Sequence, residues 1–144
     1  MPWVAMPSMF VMNSELQQDV VEWRRLCRSN PAPTSATHVT VRAGTYLSGK
    51  RHNFHHHSAQ EDVIHGVSGT LDSGSYMKAN PRPRCSVLLP AGAVHASFNA
   101  GADEANMIAI LRPCLGEIGV EQVDISGEAL CGGLRAKVTE EQGS

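Results

Sequence analysis

The chain has 144 residues, with 12 Lys and Arg against 14 Asp and Glu and a formal net charge of −2. That length suits one domain with a hydrophobic core of its own and is too short for two. The near-neutral balance gives no basis for a nucleic-acid or anionic-membrane partner, and no apolar run is long enough to span a bilayer.

Residues 1–13 are apolar but broken by Pro2 and Pro7, which reads as an extended arm lying on a neighbouring surface and lacks the pattern of a signal peptide. Ser14 then looks like a helix cap. Gln17 follows three residues on, Glu15 and Asp19 sit near the positive end, and Arg24, Arg25 and Arg28 near the negative end. Leu16, Val20, Trp23 and Cys27 keep helical spacing, so a helix is expected here, packed on the rest of the domain or on a sister subunit. Pro31 and Pro33 stop it.

From His38 the period becomes two. Val39, Val41 and Ala43 alternate with Thr40 and Arg42, as in a half-buried strand. After Gly44 and Gly49 comes a histidine-bearing stretch, His52 to His57, then a strand over 63–67. Leu71 to Tyr76 reads as a hairpin with its turn residues in the middle, and Asn80 to Arg84 as a stiff basic loop. Strands follow at 85–89 and 94–98, separated by Pro90-Ala91-Gly92. Ala105 to Leu111 is apolar on both sides, which predicts a strand buried on both faces. One more strand is expected at 120–125, and a frayed tail after it. Seven or more short strands behind a single helix predict an all-β, closed or double-sheet domain. Cys27, Cys85, Cys114 and Cys131 form no CxxC pair, so neither a zinc knuckle nor a disulfide framework is expected, and the chain reads as cytoplasmic.

The chemistry concentrates in two stretches. His55 and His57 point to one face of a strand and His56 to the other. With a carboxylate at Glu61 or Asp62, and His95 from a later strand, they make a mixed nitrogen and oxygen set. Such a set suits one divalent transition metal among Fe, Mn, Ni, Co, Cu and Zn. Parity ties the carboxylate to its neighbours: Glu61 would share its face with Val63 and His65, Asp62 with Ile64 and Gly66. His38 and His52 read as surface histidines.

These spacings resemble the cupin superfamily, whose first motif runs G-x5-H-x-H-x3or4-E-x6-G and whose second runs G-x5-P-x-G-x2-H-x3-N. Here the first reads Gly49, His55, His57, then Glu61 or Asp62, then Gly69. The second reads Pro90, Gly92, His95 and Asn99, with Arg84 where its leading glycine would stand. Counting from His57 allows Glu61, which the longer reach of glutamate and the usual acid type favour; counting back from Gly69 selects Asp62. The resemblance implies a jelly-roll (double-stranded β-helix) barrel over residues 38–126, with residues 1–37 as arm and helix packing on it and 127–144 as a tail. In the motif the equivalent of Asn99 shapes a turn.

By the same resemblance, His55, His57, Glu61 (or Asp62) and His95 are expected to bind the metal of an enzyme acting on a small organic molecule inside the barrel. A dioxygenase leads; an isomerase, cyclase or lyase, or a metal-anchored binding or sensing module, is the alternative. Lys50, Arg51, Arg82 and Arg84 read as solvated loop charges, and Tyr46 and Tyr76 as packing residues. A homodimer is expected, to give the arm and helix somewhere to pack.

Overall fold

Alternating inward and outward residues along short strands build two antiparallel sheets with a cavity between them. The computed structural model describes residues 17–21, 24–29, 36–74, 85–116, 119–125 and 127. In chain order the strands are β1 (Gln17–Val21), β2 (Arg24–Ser29), β3 (Thr40–Tyr46), β4 (Arg51–His56), β5 (Glu61–Ser68), β6 (Asp72–Gly74), β7 (Ser86–Leu89), β8 (His95–Phe98), β9 (Ala105–Arg112) and β10 (Val123–Asp124). The larger sheet has the order β1-β2-β3-β9-β5-β7 and the smaller β10-β4-β8-β6. From β3 onward consecutive strands thus fall in different sheets, as in a jelly roll, while β1 and β2 extend the larger sheet beside β3. Among the described residues no helix is long and apolar enough to cross a membrane.

Tyr46, Ile64, Leu71, Leu89, Met107 and Leu111 are buried in the core. Each such side chain contributes roughly 1.5–3 kcal/mol. On β9 the inward residues are Ala105, Met107, Ala109 and Leu111, while Ile110 stays 39% exposed. The expected burial of this strand on both faces is therefore corrected to one buried face.

The helix expected from Ser14 onward is also corrected: residues 17–21 and 24–29 are strands, paired with each other, and β2 adds to the edge of β3 from Arg24↔Tyr46 to Ser29↔Val41. Helix spacing and caps are weak local preferences, and an open strand edge offers a continuous ladder of backbone hydrogen bonds that overrides them. The arm at 1–13, the basic loop at 80–84 and nearly all of the tail lie outside the described residues.

Two further readings change. β3 faces the other way: Thr40, Gly44 and Tyr46 are buried, while Val39 and Val41 are 43% and 37% exposed. The segment 72–74, read as the turn of a hairpin, is itself a strand paired with β8, from Asp72↔Phe98 to Gly74↔Ala96.

Outside the larger sheet, Val41, Ile110, Val63 and Leu88 stand in one row across β3, β9, β5 and β7. A polar row runs parallel to it, where Thr45 Oγ1 donates to Asn106 Oδ1 at 2.7 Å and Asn106 Nδ2 donates to Ser68 Oγ at 2.8 Å.

The motif glycines hold the turns. Gly92, at φ 78°, is the third residue of a turn closed by Ala93 N donating to Pro90 O at 3.0 Å. That is the position of a type II turn that needs positive φ. Gly69, at φ 74°, lies against β9 so closely that a Cβ would come within 2.6 Å of Glu104 O. Only glycine meets both demands there.

Candidate metal centre

His55, near the end of β4, pairs with His95 at the start of β8. His57 follows two residues on, just past β4, and all three histidines are buried. Their nearest ring nitrogens lie within 4.8 Å of one another. Each ring is held by its other nitrogen. His55 Nδ1 donates to Asn53 O at 2.7 Å, His57 Nδ1 to Glu121 O at 2.9 Å and His95 Nδ1 to Ala93 O at 2.9 Å. A carbonyl can only accept, so each Nδ1 carries the proton and each Nε2 presents a lone pair to the cavity.

Of the two carboxylates, the structure buries Asp62 and exposes Glu61. Asp62 Oδ2 lies 3.7 Å from His57 Nε2 and 3.5 Å from His95 Nε2. The preference for Glu61 is not supported by its position. On β5 the inward set is Asp62, Ile64 and Gly66, so the gap counted back from Gly69 is the one the strand follows. His65 faces outward, where its Nδ1 lies 2.7 Å from Ser86 Oγ.

Asp62 Oδ1 and His95 Nε2 are buried and make no hydrogen bond. Leaving such groups unsatisfied costs about 1–3 kcal/mol each, more when one is charged. A divalent cation among the three Nε2 atoms and the carboxylate would satisfy both, so the residues present fit the group. Burial, then the neighbouring His95, pushes the His55 pKa from 6.5 down to about 3. Burial likewise lowers that of His57. Both rings are thus neutral near pH 7, the form that binds metal.

Two supports hold this arrangement. Gln60, 1% exposed, donates through Nε2 to Pro113 O at 2.6 Å and to Gly119 O at 2.9 Å, and its Oε1 accepts from Glu121 N at 2.9 Å. It therefore fixes the residue whose carbonyl orients His57. Asn99, fully buried, donates to Tyr46 O at 3.0 Å and Asp103 O at 2.8 Å and accepts from Gly101 N at 2.9 Å. It shapes the turn after β8, as its motif position implies.

A small solvent-open cavity surrounds the cluster, lined also by Arg42, Tyr46, His52, Ile64, Ser97 and Met107. His52 and Arg42 were missed by the sequence reading. One extra residue in β4 between His52↔Ser97 and His55↔His95 forms a bulge that returns His52 to the inner face, its ring centroid 4.0 Å from that of His55. Arg42 turns inward because β3 is inverted. His56 points away from the cluster and is contacted by Ser58 Oγ at 3.2 Å. Cys85 and Cys114 are free thiols.

No family model matches the chain, and no curated protein matches it by sequence. Solved structures do match. KdgF from Halomonas sp. aligns with a TM-score of 0.63 at 15% identity, over 74% of this chain and 94% of that one. The polyketide cyclase RemF from Streptomyces resistomycificus aligns at 0.63 and 13%, over 76% and 81%. Oxalate decarboxylase from Bacillus subtilis, studied for its Mn(II) centres, aligns at 0.68 and 14%, over 79% of this chain and 31% of that one. This chain therefore spans about a third of the decarboxylase. Such identities carry a shared fold and no activity.

Two outcomes are expected. In protein purified without added metal, Asp62→Asn should weaken metal affinity by roughly tenfold or more, as should His55→Ala and His95→Ala, while Glu61→Gln stays within about twofold of wild type. Plasma emission analysis and metal titration measure this. For metal-free protein, His55 takes a proton near pH 3 when folded and near 6.5 when unfolded. The unfolded state therefore holds the extra proton across that window, and stability falls as pH drops from 6.5 toward 3. Urea unfolding at a series of pH values should show that decline, and His55→Gln should make it shallower.

Proposed function

We propose that this chain, whose fold is the cupin fold, is a metal-dependent enzyme acting on a small organic molecule in the cavity between its sheets. The observation that carries the reading is the buried convergence of three Nε2 lone pairs with the otherwise unsatisfied Asp62 carboxylate. His55, His57 and His95 would hold one divalent metal, with Asp62 as fourth ligand. Fe, Mn, Ni, Co, Cu and Zn all accept such donors, and the Mn(II) centres of the structurally similar decarboxylase favour Mn as the first to try. Bound there, the metal supplies Lewis acidity toward a substrate oxygen, or redox chemistry if it is Fe, Mn or Cu.

The chain's own residues do the rest. Backbone carbonyls keep the three rings in one tautomer and one orientation, and Ile64, Met107 and Ala109 add apolar surface to the cavity lining. His52 and Tyr46 stand at the same cavity as groups able to hold or move a proton near a bound molecule. Neighbours named as a decarboxylase and a cyclase favour a reaction that incorporates no oxygen atom into its product, and the dioxygenase expected from the sequence is the second reading.

Protein reconstituted anaerobically with Mn(II) or Fe(II) is expected to convert members of a panel of small carboxylic acids, diketones, phenols and thiols without oxygen. Product that forms only with oxygen uptake would assign the dioxygenase instead. Tight binding with no product under any metal would replace the enzyme with a binding module.

The homodimer remains part of the proposal on a different surface. The row Val41, Ile110, Val63 and Leu88 leaves Leu88 62% exposed, an apolar strip suited to a second copy. Light scattering should give twice the monomer mass for wild type and a monomer for Leu88→Lys; a monomeric wild type would end this reading.

A further inference from the structure

We propose that residues 119–125 form a latch that positions His57 and His52, and that docking of the latch and filling of the metal site favour each other. The inference rests on the metal reading above and extends it to a segment that carries no ligand.

The three ring acceptors differ in kind. Those of His55 and His95 are the carbonyls of Asn53 and Ala93, two residues before each histidine, so they move with their ring. His57 instead donates to Glu121 O, 64 residues along the chain. Through that bond one ring depends on where a remote segment lies.

The latch is firm at its start and lightly held beyond it. Val120 is buried in the core, and Gly119 O accepts from Thr40 Oγ1 and Gln60 Nε2, each at 2.9 Å. From Glu121 to Asp124 every residue is exposed. Glu121 N donates to Gln60 Oε1, β10 pairs with β4 at Val123↔His56 and Asp124↔His55, and Ile125 N donates to Phe54 O at 3.1 Å. Backbone pairing so short and so open to water is the kind that opens locally without unfolding the domain. The His57 bond is one of those that hold residues 121–125 in place.

Metal chemistry acts on that bond. With a cation on Nε2 the imidazole loses electron density, and its Nδ1 proton becomes a stronger, charge-assisted donor to Glu121 O. For His55 and His95 the same gain stays within two residues of the ring; for His57 it is transmitted to the latch. The coupling runs both ways by thermodynamic necessity. A docked latch holds Nε2 of His57 on the cluster and raises its basicity, whereas an open one lets the ring turn and withdraws a donor.

The latch also reaches the cavity wall. Gln122 sits between the Glu121 carbonyl and β10, and its Nε2 lies 3.2 Å from His52 Nε2. An amide nitrogen donates, so His52 Nε2 accepts, and the ring that lies against His55 is held from the latch side. A filled site therefore keeps His52 in one place, and an empty one leaves that contact to open with the rest of the latch.

The test is amide hydrogen exchange by mass spectrometry on protein without metal and with Co(II), combined with Co(II) titration followed by its visible absorption. At labelling times over which β9 stays protected, Co(II) should slow exchange across 119–125 at least about fivefold, the low end for coupled sites. Ile125→Pro deletes the amide that bonds Phe54 O and leaves every proposed ligand in place. It should weaken Co(II) binding by about fivefold or more, speed its release to a chelator and alter the Co(II) bands, because His57 is less firmly oriented. Ile125→Ala, which keeps the amide, should match wild type in all three. If Ile125→Pro does not fold, the exchange comparison on wild type decides. Wild type that binds Co(II) yet exchanges 119–125 at the same rate with and without it overturns the inference. So does Ile125→Pro that binds Co(II) like wild type, or Ile125→Ala that loses as much affinity, which would assign the effect to side-chain packing. Wild type that takes up no Co(II) overturns the metal reading, and this inference with it.

Discussion

Three imidazoles in this protein give their Nδ1 protons to main-chain carbonyls, of Asn53, Ala93 and Glu121, over 2.7–2.9 Å. Two of these acceptors lie two residues before their histidine and the third is in a loop far along the chain. Each bond removes a choice: the ring cannot flip, the tautomer cannot change, and Nε2 must point into the cavity. Burial then removes another, because it drives His55 and His57 toward the neutral form. What remains is a set of lone pairs beside a buried carboxylate with nothing among themselves to donate a proton. Burying acceptors against acceptors is unfavourable unless a cation joins them. The metal reading follows from that imbalance more than from the histidine count.

The rest of the fold serves to keep those acceptors in place. Pairing of His55 with His95 across the smaller sheet fixes two rings, and the larger sheet brings Asp62 up from the opposite wall. Gln60 ties Pro113, Gly119 and Glu121 to the start of β5 with three hydrogen bonds, which sets where the carbonyl of Glu121 can lie. At the other end Asn99 stitches Tyr46, Gly101 and Asp103 together while its backbone pairs with Gly49 and Lys50. A buried amide fully used in this way stabilises one loop geometry over others. Gln60 thereby sets the position of the Glu121 carbonyl that holds His57, and Asn99 sets the turn that follows the strand carrying His95.

The sequence made the histidine pair, the later histidine and the turn residues legible because they obey short-range rules. Parity put His55 and His57 on one face and His56 on the other, and Gly69 and Gly92 sit where backbone conformation admits little else. The carboxylate was half legible. The forward gap and the longer side chain favoured Glu61, whereas the strand's alternation, which also buries Ile64 and Gly66, turns Asp62 inward. What failed were inferences that needed knowledge of neighbours. Val39 and Val41 look like core residues until β3 is seen to carry its apolar valines on the outer face. The segment from Gln17 looks helical until the open edge of β3 is available to pair with it.

His52 and Arg42 show why the reaction is harder to read than the site. Metal-ligand positions tolerate little change, so their spacing survives as a pattern. The residues that would meet a substrate enter the cavity by irregular routes, His52 through the bulge in β4 and Arg42 through the inverted face of β3. Simple alternation assigns both to the surface. A bulge changes which side chains reach the cavity without moving the strand that carries the ligands. One scaffold with one set of donors can thus present different charged and proton-carrying groups to its substrate. In this protein the residues that these irregularities add to the cavity are Arg42 and His52, beside the histidine cluster.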